Sequence, residues 1–348
     1  MVEQRDIDII FHNPIDWERF RNKTVLVTGA TGRLGMYIVE ALVKADIDWN
    51  LNLNIIALAR SERKLGRVFG NSLKLPNVHT LIQDITEPIG WKGEVHYIFH
   101  TAGAASPLDF TKEPVDTLWG HVQGTRNVLE LAREKNTQKV LYVSTVEIYG
   151  QWEKDAGIRE DDMGPIHCDQ ARACYPEAKR LCETMLASYE KQYGIPYVGA
   201  RLCHTFGPGI SLDDGRAFSE FLRNVIDGQD IVLQTDGSAA RTYSYVADAI
   251  GAMLVAFTKG KDHYYNIANV GNLISIRDLA NLIAGLDTRG KVKVRYEDKG
   301  TQKFNYLPFK LGIMNVDKIT ELGWRPQVGL EEAFRYTLDS FLQKNGSY

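Results

Sequence analysis

With 348 residues the chain is long enough to bury a sizeable core, as one large domain or as a domain with a smaller lobe. A composition of 44% hydrophobic and 24% charged residues is that of an ordinary globule, and a formal net charge of −3 provides no basic field for nucleic acid or an anionic membrane. Neither is an expected partner, and any anion site has to be built locally.

Residues 1–22 carry acidic side chains and no long apolar run, so they read as a helical or irregular N-terminal extension rather than a signal peptide. No later segment is long and apolar enough to span a bilayer. Short β-branched runs then alternate with helical periodicity. Thr24–Thr28, 54–58, 79–82, Tyr97–His100, 140–144 and Tyr197–Leu202 read as buried parallel strands. Residues 34–45, 115–135 and 177–193 read as the helices between them. This alternation predicts an α/β fold with a doubly wound parallel sheet. Past residue 202 come a Gly- and Pro-containing stretch, helices at 217–226 and 246–257, and short strands. The expected division is an extension at 1–22, a dinucleotide-binding domain at 23–202 that also carries the catalytic residues, and a smaller α/β substrate lobe at 203–348 interleaved with the sheet.

Cys168, Cys174, Cys182 and Cys203 have no CxxC spacing, and the histidines show no paired-ligand spacing. Free thiols in a reducing compartment, a cytoplasmic location and no metal site are expected.

Directly after the first strand stands Thr28-Gly29-Ala30-Thr31-Gly32-Arg33-Leu34-Gly35, opening the first helix. Glycines there permit a tight turn and let a pyrophosphate approach amides at a helix N-terminus. Gly29, Thr31, Gly32, Arg33, Leu34 and Gly35 are thus candidates for a dinucleotide site. At the end of the second strand an acidic residue would mark NAD, but the chain reads Arg60-Ser61. Arg60 and Ser61 suit a 2′-phosphate, which would favour NADP; NAD is expected ahead of it only from a resemblance to proteins that recycle their cofactor, and NADP stays open. Tyr175 and Lys179 lie four apart, on one face of a helix, where an ammonium favours the phenolate as a base and can also reach the nicotinamide ribose. About thirty residues earlier the fifth strand ends in Ser144-Thr145-Val146-Glu147, so that Thr145 can hydrogen-bond the substrate oxygen that Tyr175 deprotonates.

The TGxxGxxG turn and the Thr145, Tyr175, Lys179 set resemble the extended short-chain dehydrogenase/reductase superfamily, of Rossmann type. Arg201 to Gly209, the segment from Gly237 to Asp248 containing Arg241, and the stretches 265–269 and 322–326 are similar to its nucleotide-sugar epimerases, dehydratases and decarboxylases. The resemblance implies Asp84, with Ile85, against the adenine, and Thr101, Ala102 and Gly103 in the loop under the cofactor. It implies Arg241 on a nucleotide diphosphate, with Arg216 and His204 as further substrate contacts, and a homodimer formed through two helices flanking the catalytic strand. His121 stands where these proteins commonly have asparagine, and its role stays open.

Such relatives oxidise the sugar at C4 and then diverge. Glu147 resembles a carboxylate of the dehydratases and decarboxylases that simple 4-epimerases usually lack, whereas Val146 replaces the acid that helps dehydratases expel water. The pair favours UDP-uronate decarboxylase-like or epimerase-like chemistry on a nucleotide-diphosphate sugar. A 4,6-dehydratase, with water or His204 as the acid, and a ketosugar or small-carbonyl reductase are the alternatives.

Overall fold

The apolar runs pair as expected. In the computed structural model, which describes residues 2–152, 156–297 and 312–345, β1 (Thr24–Thr28), β2 (Asn54–Ala59), β3 (Val78–Ile82), β4 (Tyr97–His100), β5 (Lys139–Thr145) and β6 (Tyr197–Leu202) form one sheet. The parts of the 1–22 extension and of the 203–348 lobe that fall at 1, 298–311 and 346–348 lie outside the described residues. Short strands β7 (His204–Phe206), β8 (Ile231–Leu233) and β9 (Ala240–Tyr245) follow, and then β10 (Tyr264–Ile267), which returns to the main sheet. The seven strands run parallel in the order β10-β6-β5-β4-β1-β2-β3. Strand order reverses between β1 and β4, and a crevice opens there beyond the carboxyl ends of the strands.

Preceding the sheet is α1 (Gln4–Phe11), and the crossovers include α2 (Arg33–Trp49), α3 (Glu62–Phe69), α4 (Pro107–Lys112), α5 (Pro114–Glu134) and α6 (Cys174–Tyr193). Among the described residues no helix is long and apolar enough to cross a membrane. The sixth helix starts three residues earlier than its apolar period suggests. Pro176 sits in its first turn, where a missing N–H costs nothing, so Tyr175 is already helical. The smaller lobe adds α7 (Ala217–Asp227) and α8 (Val246–Lys259), with β11 (Leu273–Ser275) pairing β9 and β12 (Val294–Tyr296) pairing β8. The 322–326 stretch pins α8: Trp324, fully buried, donates its indole N–H to the Asp248 carbonyl at 3.1 Å. The Asp248 carboxylate accepts the amides of Gln327 at 2.9 Å and Val328 at 3.1 Å.

The extension is part of the core. Ile7 and Ile10 of α1 are buried with the main apolar cluster, and Asp6 is completely enclosed. Its carboxylate accepts the hydroxyls of Tyr37 on α2 at 2.8 Å and Tyr245 on β9 at 2.6 Å, with Arg5 at 3.6 Å. One buried carboxylate thus ties the helix that follows the glycine-rich turn to the strand that carries Arg241. Asp6→Ala leaves two buried phenols unpaired and is expected to lower unfolding free energy by about 2–4 kcal/mol, read by urea denaturation.

Candidate active site

At the end of β1 the chain turns tightly into α2. Gly29 has φ +64°, and a Cβ there would stand 2.8 Å from the Ala102 Cα. A Cβ on Gly35 would stand 2.4 Å from the Gly29 carbonyl oxygen. Backbone approaches backbone more closely than any side chain allows, and α2 begins at Arg33, after Gly32, without a side-chain cap. The first amides of a 17-residue helix are therefore available to an anion, and this cradle fits a dinucleotide pyrophosphate. Thr31, Leu34 and the Arg33 backbone belong to the same turn and first helical residues.

The loop after β4 is tied to this turn. Thr101 Oγ1 donates to the Thr28 carbonyl at 2.7 Å, and the Ala102 amide donates to Thr28 Oγ1 at 3.3 Å. His100 bridges Thr28 Oγ1 at 2.8 Å and Thr125 Oγ1 at 3.1 Å. Burial, aided by the Lys179 charge, pushes His100 down to about 3, so it is neutral. Gly103 and Ala104 follow, and His121 of α5 donates Nε2–H to the Ala104 carbonyl at 2.8 Å. His121, also kept neutral by burial, stands edge-on to Tyr175 at 5.4 Å. It thus braces the loop after β4 against α5, beside the candidate tyrosine.

At the far end of the crevice, Asp84 Oδ1 accepts the Thr86 amide at 2.9 Å and its hydroxyl at 2.8 Å, which holds the carboxyl below its usual range. Its other oxygen stands 3.8 Å from Arg60, whose side chain is 81% exposed. Ser61 Oγ caps α3 by accepting the Lys64 amide at 3.3 Å. The Ile85 carbonyl accepts from Asn127 at 2.8 Å.

Beyond β5 lies a cavity of about 870 Å³. Thr145, Val146, Glu147 and Tyr175 line it on one side; Arg33, Leu34, His204, Arg216 and Arg241 line it elsewhere. Tyr175 is buried and stacks on Phe110 of α4 with ring centroids 4.2 Å apart. Lys179, one turn on, donates from Nζ to the Val143 carbonyl at 2.7 Å and lies 5.8 Å from the Tyr175 ring centroid. Burial pushes Lys179 down to about 8 and, with the Glu147 charge, raises the Tyr175 phenol. Thr145 Oγ1 accepts the Glu147 amide at 3.3 Å and thereby caps the turn that carries Glu147.

Glu147 is held by Arg172, whose Nη2 donates to both carboxylate oxygens at 3.1 and 3.0 Å. The Arg172 guanidinium lies 4.7 Å from the Phe110 centroid, and its Nε and Nη1 are buried with no hydrogen-bond partner among the described residues. Burial raises the Glu147 carboxyl and Arg172 opposes the rise. Opposite, Arg216 pairs with Asp214 at 2.5 Å and donates to the Ala105 carbonyl. Arg241 Nη1 donates to the Ala240 carbonyl at 2.8 Å. His204 is pushed down to about 3 by burial, then by Arg241 and Arg216. Its imidazole is therefore held in the neutral form.

A match to the family described as NAD dependent epimerase/dehydratase family spans residues 25–271. The chain belongs to this family. UDP-glucuronic acid decarboxylase 6 of Arabidopsis thaliana is 30% identical over 334 residues, covering 93% of this chain and 90% of the relative. UDP-glucuronic acid decarboxylase 1 of Xenopus tropicalis is 29% identical over 323 residues, covering 92% of this chain and 72% of the relative. Among solved structures, a UDP-glucose 4-epimerase from Thermotoga maritima with UDP-glucose superposes with TM-score 0.77 at 23% identity, covering 92% of this chain and 99% of that one. A dTDP-glucose 4,6-dehydratase from Streptomyces venezuelae with NAD bound gives 0.76 at 21% identity, covering 93% and 98%. These two share the family fold.

Arg172 and Phe110 escape the sequence reading. Arg172 stands three residues before Tyr175, a spacing that places it on the same side of the helix entry, and that was the available signal. Phe110 had none, since its stacking on Tyr175 spans 65 residues of chain.

Proposed function

We propose that the protein decarboxylates a UDP-linked uronic acid, UDP-glucuronate first, through a 4-keto intermediate. The observation that carries this reading is the Glu147–Arg172 pair beside Tyr175, with two unpaired guanidinium donors at the cavity and no acid at position 146. An acidic group on the sugar satisfies those donors, whereas a neutral hydroxymethyl group leaves them short of an acceptor. Val146 is buried among Ile148, Tyr149 and Trp152 and has no proton to give a departing hydroxyl, and CO2 needs none. Decarboxylase names among the relatives support the same choice.

The dinucleotide, when bound in the cradle at Gly29 to Gly35, supplies reversible hydride transfer at C4. The Tyr175 phenolate, stabilised by Lys179, takes the proton of the 4-hydroxyl and becomes the neutral phenol. Thr145 donates its hydroxyl hydrogen to the same sugar oxygen. The C4 ketone is then β to the carboxylate, so the C5–C6 electron pair moves into the carbonyl as CO2 departs. Arg172 holds the carboxylate, and Glu147 delivers a proton to C5 by way of its raised carboxyl. Tyr175 returns its proton as C4 is reduced. In deuterated water UDP-glucuronate is expected to lose the mass of CO2 and gain one deuterium at C5, with no net change in dinucleotide redox state. Turnover of UDP-glucose or dTDP-glucose with UDP-glucuronate left intact would overturn the proposal.

The same reading takes NAD as cofactor, with Ser61 engaged as a helix cap and Arg60 turned to Asp84. Dinucleotide released from denatured protein is expected to be NAD, and NADP would assign Arg60 to a 2′-phosphate. The four cysteines are unpaired, which suits a cytoplasmic site. Val115 and Trp119 of α5 and Leu181 of α6 are exposed, 64%, 58% and 47%, and support a homodimer across these helices. Trp119→Asp is expected to shift a dimer to monomer in sedimentation velocity.

A further inference from the structure

Arg33 joins the two halves of the site. Its α-carbon is the first helical residue of α2, at the anion cradle, while its side chain lines the cavity shared with Arg216 and Arg241. Nη2 donates to the Thr205 carbonyl of β7 at 2.7 Å, which fixes the direction of the guanidinium, and Nε is buried with no partner. Charge around it is unbalanced. Asp214 pairs with Arg216 and Glu147 with Arg172, while Asp236 turns back to Ser238, accepting its amide at 3.1 Å and its hydroxyl at 2.9 Å. Among the described residues neither Arg33 nor Arg241 has a carboxylate at ion-pair distance. Burial and then the Arg216 charge depress Arg33 to about 10, so an anion bound beside it would favour its charged form.

We propose that Arg33 couples the two ligands, its guanidinium binding the diphosphate of the nucleotide sugar while its helix-terminal backbone faces the pyrophosphate of the dinucleotide. This rests on the nucleotide-sugar reading above. Two diphosphates brought to either side of the α2 N-terminus repel each other, and a fixed cation between them cancels that repulsion. The coupling is reciprocal, so each ligand senses the residue through the other.

The test is a binding cycle without turnover. Dissociation constants for NAD are measured by calorimetry on apo-protein alone and at saturating UDP, for wild type, Arg33→Leu and Arg33→Lys. Wild type is expected to bind NAD more tightly with UDP present. In Arg33→Leu the ratio of NAD dissociation constants with and without UDP is expected to rise by about tenfold, within the usual span of coupling between sites. Arg33→Lys is expected to recover part of the loss. Uridine, which lacks the diphosphate, is expected to leave NAD affinity unchanged in every form. Equal ratios in wild type and Arg33→Leu, or equal coupling by uridine in wild type, would overturn the inference while the nucleotide-sugar reading stands. Failure of wild type to bind UDP would overturn that reading and the inference together. If Arg33→Leu does not fold, the wild-type uridine comparison and Arg33→Lys decide the matter.

Discussion

Tyr175→Phe is expected to lower turnover of UDP-glucuronate about a thousandfold while the protein keeps its melting temperature and its affinity for UDP. In the proposed mechanism the Tyr175 phenolate oxygen accepts the proton of the sugar 4-hydroxyl, and among the described residues no other group lining the cavity offers a comparable base beside Thr145. Glu147 is held by Arg172, burial weakens the proton affinity of His204 and His121, and His121 already donates to Ala104. The ring itself keeps its place, because stacking on Phe110 at 4.2 Å and the edge contact with His121 do not use the hydroxyl. Steady-state assay for CO2 release, with thermal unfolding and UDP titration on the same preparation, separates the chemical loss from a structural one. Retention of more than a tenth of the activity would remove Tyr175 from the proton path.

Which parts of this site were legible beforehand follows from the range of the interactions. The parallel strands announce themselves because both faces are covered, so Val25, Leu26 and Val27 or Ile55 to Leu58 form unbroken apolar runs. The glycine turn and the Tyr175–Lys179 step are local geometry, written into spacings of a few residues. Asp6 is the opposite case. In sequence it is one acidic residue of an amphipathic helix, and its burial is explained only by Tyr37 and Tyr245, 31 and 239 positions away. The Glu147–Arg172 pair is likewise not written in any short spacing, since its members stand 25 positions apart. Sequence does show that residue 33 is an arginine in the glycine-rich turn. That its side chain leaves the turn for the neighbouring cavity depends on the β7 carbonyl of Thr205, 172 residues on.

Lys179→Met is expected to produce the second large effect, with activity and stability moving in opposite directions. Turnover falls about a thousandfold, because the phenolate loses the ammonium that stabilises it. Stability at pH 7 rises. Lys179 is enclosed, and burial brings its ammonium down to about 8 from an ordinary value of 10.5. Below pH 8 both folded and unfolded chains carry the proton, and the folded chain bears the full desolvation cost. Between pH 8 and 10.5 the folded chain has released its proton while the unfolded chain retains it, so that cost fades as pH rises; above 10.5 it is gone. A shift of this size corresponds to about 3 kcal/mol, from which the lost Nζ–H bond to the Val143 carbonyl subtracts about 1. The variant should therefore melt higher than wild type at pH 7, and the difference should shrink steadily from pH 8 to 10. A lower melting temperature at pH 7, or a difference independent of pH, would show that the buried ammonium is compensated in the folded protein. The same comparison at fixed pH with NAD added tests whether the cofactor ribose supplies that compensation, since wild type alone would then gain the extra stability.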